Sequence, residues 1–246
     1  MRSLPPLSLL LLTACSYPSF VASKTVEYEV PADGVQRLAC TTHNGAITVT
    51  GDAAAKPIRL RAEITARATS QAEADALLHQ LDVRRDLVDG ALQVGGQGPQ
   101  TGWTTQSSFA FTFAVPPSVR VALESHNGAL RVTGMQEEVR AVTHNGEVVV
   151  DAAAPAVATS SHNGDVRLTL RGELREATVE THNGEVAVEM AAAGGAKVTV
   201  ETHNGTIHVP ANLRDAVHER GLLQGRFGEG KGNLRITTHN GDVRLR

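Results

Sequence analysis

Apolar and polar residues alternate in short runs along most of this chain, and the alternation changes phase at regular points. Ile58, Leu60, Ala62 and Ile64 face one way while Arg59, Arg61 and Glu63 face the other, the period-two pattern of a half-buried strand. Val26, Tyr28 and Val30 predict a second strand over 25–30, and Phe109, Phe111 and Phe113 a third that stops at Pro116-Pro117. One stretch leaves period two. Ser70-Gln71-Ala72-Glu73 reads as a capping box opening a short helix over 70–81, with Leu77, Leu78 and Leu81 as its apolar stripe. Residues 83–86 and 91–94 bracket Val88-Asp89-Gly90, a hairpin turn. The segment 95–108, rich in Gly, Gln, Thr and Ser, predicts a loop that carries the only tryptophan, Trp103.

The phase changes coincide with a tripeptide, His-Asn-Gly, that occurs seven times, at His43, His126, His144, His162, His182, His203 and His239. Thr or Ser always precedes the histidine, and the second and fourth positions past the glycine are aliphatic. Val179 and Thr181 share one parity, whereas Val186 and Val188 have the other. A flat strand would put these pairs on opposite faces, so the chain must reverse or corner at Asn183-Gly184. Asn-Gly suits a tight turn because both residues tolerate positive φ. The same structural turn role falls to Asn44-Gly45, Asn127-Gly128, Asn145-Gly146, Asn163-Gly164, Asn204-Gly205 and Asn240-Gly241.

From His126 to His203 the histidines are 18, 18, 20 and 21 residues apart, and the last gap, to His239, is 36, as if one motif near Gly221 were missing. A period near 20 fits one coil of a parallel β-solenoid. The alternative is an antiparallel β-meander of hairpin repeats. Solenoid coils would stack about 4.8 Å apart. Val148, Val166, Val186 and Ile207 would then form one interior ladder and Val150, Leu168, Val188 and Val209 the next, with the asparagines in an amide ladder and the histidines in an outer row. The fold class expected is all-β, with coils of about 18–21 residues and one inserted helix.

Thr-x-Asn-Gly-[Asp/Glu]-Val-x-Val, repeated at this period, resembles the adhesin-type β-strand-repeat family of bacterial envelope proteins, a domain of unknown function. Val115-Pro116-Pro117-Ser118 before the repeats and Gly230-Lys231-Gly232-Asn233-Leu234-Arg235-Ile236 before the last copy carry the likeness too. It covers about residues 24–246 and implies a right-handed parallel β-helix and a surface or periplasmic address. Histidine in all seven copies departs from the family, which varies there.

The N-terminus reads as an address. Arg2, an apolar run over 7–12 and Leu12-Thr13-Ala14-Cys15 resemble a lipoprotein signal, with Cys15 lipidated after cleavage. An ordinary secretory signal cut near Ala22 is the alternative. The run is too short to span a bilayer, and Ser16 in place of Asp points to the outer membrane. The division is therefore 1–14 signal peptide, 15–23 lipidated cysteine and tether, 24–118 strands with the helix, and 119–246 the repeats. Cys40 holds a core position, matching Leu123, Ala141 and Val179 in other copies.

Aromatics form 3% of the chain, so the core must be small and aliphatic, and a net charge of −3 gives no basic face for nucleic acid. No Gly-x-Ser-x-Gly, His-Glu-x-x-His, P-loop or dinucleotide fingerprint is present. The reading is a non-enzymatic, lipid-anchored envelope protein with an adhesin-like binding or scaffolding surface for an envelope polymer or protein. The alternative function is divalent-metal binding or envelope-stress sensing by His126, His144, His162, His182 and His203, with Glu147, Asp165 and Glu185 as further oxygen ligands. Arg131, Arg167 and Arg244 belong to a solvated face, or to a stripe for polyanionic polymers.

Overall fold

A computed structural model describes residues 17–191 and 194–246; Cys15 and the signal segment lie outside the described residues. The chain begins with β1 (Phe20–Val30), β2 (Arg37–Asn44), β3 (Ile47–Gly51) and β4 (Ile58–Ala68). The helix α1 (Gln71–Gln80), the hairpin β5 (Asp82–Val88) and β6 (Ala91–Gln97), and β7 (Gln106–Val115) follow. β1 starts within the span read as tether, pairing Phe20–Ser23 with Ala68–Thr65.

The repeats supply strand pairs joined by a corner at each Asn-Gly. These are β8 (Arg120–Asn127) with β9 (Leu130–Thr133), β10 (Val139–Asn145) with β11 (Val148–Ala152), and β12 (Ala156–Asn163) with β13 (Val166–Leu170). β14 (Glu176–Asn183) with β15 (Val186–Met190) and β16 (Ala196–Asn204) with β17 (Ile207–His208) continue the series. A hairpin of β18 (Arg214–Glu219) and β19 (Leu222–Arg226) precedes the last pair, β20 (Gly232–Asn240) and β21 (Val243–Leu245).

In every pair the first strand joins one sheet and the second strand the other. The first sheet runs β1-β4-β7-β3-β9-β11-β13-β15-β21-β17, and the second β18-β19-β16-β20-β14-β12-β10-β8-β2-β6-β5. Neighbouring repeats pair parallel in both sheets, so the chain is a two-sheeted solenoid and the meander is excluded. Antiparallel strands extend only the ends.

Stacking order differs from chain order at one place. The last coil, β20 and β21, lies between the coil of β14 and β15 and that of β16 and β17. The ladder through Val148, Val166 and Val186 therefore reaches Val243 before Ile207. Val188 pairs with Leu245, and Val209, expected in that ladder, is 39% exposed. No motif is missing near Gly221: the antiparallel β18–β19 hairpin occupies that stretch and covers the edge of β16. Such a cover blunts an edge that would otherwise offer free backbone groups.

The core is a row of small aliphatic side chains between the sheets. Each valine or leucine buried there contributes roughly 1.5–3 kcal/mol, so a coil is held by stacking more than by strand propensity. Cys40 sits 1% exposed beside Leu123, a small hydrophobe whose thiol burial pushes far above its usual range. Phe111 and Phe113 are buried in the core beside β4. There Arg85 lies over the Tyr28 ring, 3.5 Å from its centroid, bridging the two sheets. Ser70 caps α1 by accepting the Glu73 N–H, and Ala74 and Leu77 are its buried residues. The hairpin turn at Asp89-Gly90 has positive φ at both residues, 49° and 74°, matching the right-handed twist of its strands.

One core ladder contains a polar misfit. Thr159 stands between Ala141 and Val179, 3% exposed, and its hydroxyl has no hydrogen-bond partner. An unmade buried hydrogen bond costs about 1–3 kcal/mol. Thr159→Val keeps the shape and removes the hydroxyl, so it should raise the urea midpoint without changing the slope. An unchanged or lower midpoint would contradict the account of this ladder.

Candidate functional site

The corners bring the seven motifs into one line. Asn204 donates its side-chain amide to Asn240, and the chain continues through Asn183, Asn163, Asn145 and Asn127 to Asn44, each Nδ2 to Oδ1 distance being 2.7–2.9 Å. Asn44 ends the line by donating to the Ser107 carbonyl at 3.2 Å. All the amides point one way, the arrangement in which hydrogen bonds polarise one another favourably.

The glycines answer a steric demand beyond the turn chemistry expected, and Gly45, Gly164 and Gly241 also have positive φ, 132°, 159° and 150°. No asparagine of the motif has positive φ: among the described residues only Asp89 and Asp215 do so without being glycine. The corner is an open bend between two strands. A Cβ on Gly146 would lie 2.2 Å from the Gly128 carbonyl oxygen, and one on Gly128 2.0 Å from that of Gly45. The same clash recurs at Gly164, Gly184, Gly241 and Gly205, each against the glycine of the adjoining coil. Glycine is needed because backbones meet there.

In five of the seven copies the residue before the histidine completes the corner; Thr42 donates instead to the Phe109 carbonyl at 3.2 Å, and the buried Thr238 hydroxyl has no partner among the described residues. Thr143 donates its hydroxyl to the Gly128 carbonyl at 3.0 Å and Ser161 to that of Gly146 at 3.0 Å, with Ser125, Thr181 and Thr202 doing the same to their neighbours. The Gly128 N–H in turn donates to the Asn145 carbonyl at 3.0 Å. These hydroxyls are buried. Their invariance as Ser or Thr across the copies is the signal that could have revealed the role, since only a short hydroxyl serves an inward corner.

The histidines stand on the outer side, exposed, with their rings in a stack. The order is His43, His126, His144, His162, His182, His239 and His203, with centroids 4.6–4.8 Å apart and planes within 2–5° of parallel. His126, His144, His162 and His182 are thus consecutive, but His203 is separated from His182 by His239, because the last coil is inserted there. Slight desolvation and then the charges of His162 and His126 hold the His144 imidazole below its usual range. As the rings stand, no three His, Cys, Asp or Glu side chains among the described residues converge on one point. Glu147, Asp165 and Glu185 turn away from the row toward the first sheet's face, where Glu147 pairs with Arg167 and Glu185 with Arg244. Asp165 also accepts the Glu185 backbone N–H at 2.9 Å.

Beside the histidine stack runs a groove of ≈ 1200 Å³. Its floor is the outer face of the second sheet, with Thr41, Glu124, Val142, Ser160 and Glu180 in cross-strand register. Pro99, Gln100 and Thr101 of the β6–β7 loop line its other side. The same loop carries Trp103, which is 97% exposed.

Repeated parallel coils, a polar corner spine and two sheets define a solenoid-like all-β class. The chain belongs to the Toastrack DUF4097 family, the match running over residues 10–246. No curated protein matches it. The fold resembles that of a supposed cell adhesion protein from Clostridium sporogenes ATCC 15579, at 12% identity and a TM-score of 0.54, covering 91% of this chain and 99% of that one. A supposed adhesin from Bacteroides fragilis NCTC 9343 is similar at 11% identity and a TM-score of 0.46, over 91% and 97% of the two chains.

Gly146→Ala should lower stability by about 3 kcal/mol or more, through forced separation of two coils. Gly102→Ala, in open space within the loop, should leave it unchanged. Equal urea midpoints for the two variants would refute the close-approach account.

Proposed function

We propose that this protein is a non-enzymatic, adhesin-like component of the bacterial cell envelope that holds an extended envelope polymer or protein segment in the groove beside the histidine stack. The groove carries the reading: it spans successive coils, and an imidazole recurs along it at strand spacing above a polar floor that varies from coil to coil. A ligand with a repeated backbone meets an imidazole at each step, whereas catalysis calls for one asymmetric constellation in a pocket. Exposed Trp103 supplies a flat apolar face beside the groove.

Lipidation at Cys15 tethers the solenoid to the membrane, and Ser16 directs it to the outer membrane. Among the described residues no helix is long and apolar enough to cross a membrane. A lipid anchor would hold the groove near the envelope surface without a spanning segment.

The test is retention of isolated envelope fractions, separated into polysaccharide and protein, on the immobilised protein. The expected result is capture of one fraction by the parent, reduced at least fivefold by Trp103→Ala combined with Ser160→Arg on the groove floor. Capture unaffected by both changes, or no capture of either fraction, would rule out the groove as the binding site.

A further inference from the structure

The histidine is the one member of the motif whose retention the corner does not explain. Asparagine is kept by the amide line, glycine by the backbone approach, and Ser or Thr by the hydroxyl bond to the neighbouring carbonyl. Exposed positions next to it have diverged freely among the copies. The outward residue two before the histidine is Thr, Glu, Val or Ser, and the residue after the glycine is Ala, Glu, Asp or Thr. Duplication therefore did not freeze the exposed face of the repeat, yet histidine stands there seven times out of seven. The imidazoles take no part in the hydrogen bonds that build the corner.

We propose that adjacent imidazoles of this row bind divalent transition-metal ions of the zinc, nickel and copper group, one ion to each neighbouring pair. Imidazole nitrogen is a preferred donor for these ions. Two bonds of about 2.1 Å at a tetrahedral angle need nitrogens about 3.4 Å apart. Parallel rings 4.6–4.8 Å apart bring equivalent nitrogens to that same spacing. Each nitrogen must therefore move by roughly 0.7 Å toward its partner, and each ring must turn by about 55°, half the tetrahedral angle, so that its in-plane lone pair points at the shared ion. The side chains are exposed and free to make that pivot, and water completes the coordination. Pairing uses up neighbours, so seven imidazoles hold about three ions. The same imidazoles line one side of the groove, so zinc binding is measured with no groove ligand added.

The spatial order of the row allows a strict test on the full-length chain in detergent, with zinc chloride as the titrant in calorimetry. His126→Gln, His162→Gln and His239→Gln together leave four histidines of the row, none adjacent to another. His43→Gln, His126→Gln and His144→Gln also leave four, but contiguous: His162, His182, His239 and His203. The parent should take about three ions and the contiguous variant about two. The alternating variant should bind at least tenfold more weakly, with the same thermal unfolding profile as the contiguous one. No zinc binding by the parent overturns the proposal. So does equal binding by the two variants, which would make the imidazoles independent sites. If both variants merely melt lower and zinc has no effect, the row serves stacking alone and the proposal fails.

Discussion

Close contact between backbones at the corners is the constraint on which the rest of this solenoid depends. Each coil sets a glycine α-carbon against the glycine carbonyl of the coil beside it, leaving no room for a Cβ. That approach holds the coils at strand spacing where the chain passes between sheets and would otherwise splay. It also creates a polar debt, because carbonyls at a bend cannot all join a ladder. Buried Ser and Thr hydroxyls discharge it by donating to glycine carbonyls, while the asparagine amides bond one another in a line of their own. The stack of imidazoles and the groove beside it are consequences of that spacing. Side chains at equivalent positions of parallel in-register strands must lie one strand apart.

The insertion of the last coil follows from the same uniformity. A coil that carries the motif can meet any other such coil through the same amide and glycine contacts, so nothing at the corner ties stacking order to chain order. What the inserted coil adds is a partner on both sides: Val243 packs in register between Val186 and Ile207, and Asn240 bonds both Asn183 and Asn204. The coil of β16 and β17, with only two residues in its second strand, would make a weak end alone. The β18–β19 hairpin covers its other edge in the second sheet.

Much of this architecture was legible in the residues, and the limits have physical causes. The parity change across Asn-Gly identified a corner, because side-chain direction is tied to position along a strand. The period then made each repeat one coil. The capping box and the Asp89-Gly90 turn were readable because both are local. Stacking order was not readable: a period states how long a coil is and is silent on which coil lies beside it. That is why His203 was placed next to His182, and Ile207 next to Val186. The second demand on glycine was not readable, because it comes from another coil, whereas the positive φ of Gly45, Gly164 and Gly241 is a local property of the bend. The groove depends on the β6–β7 loop, whose placement has no sequence period to announce it.

The corner spine is tested most directly by side-chain amide exchange of the asparagines, followed by NMR at neutral pH. The inner members Asn145, Asn163, Asn183 and Asn240 each donate one amide hydrogen within the line. Each should show one proton exchanging at least tenfold more slowly than those of exposed Asn212 and Asn233. Uniform exchange of all these side chains at the rate of free asparagine would contradict the spine and, with it, the stacking derived from it.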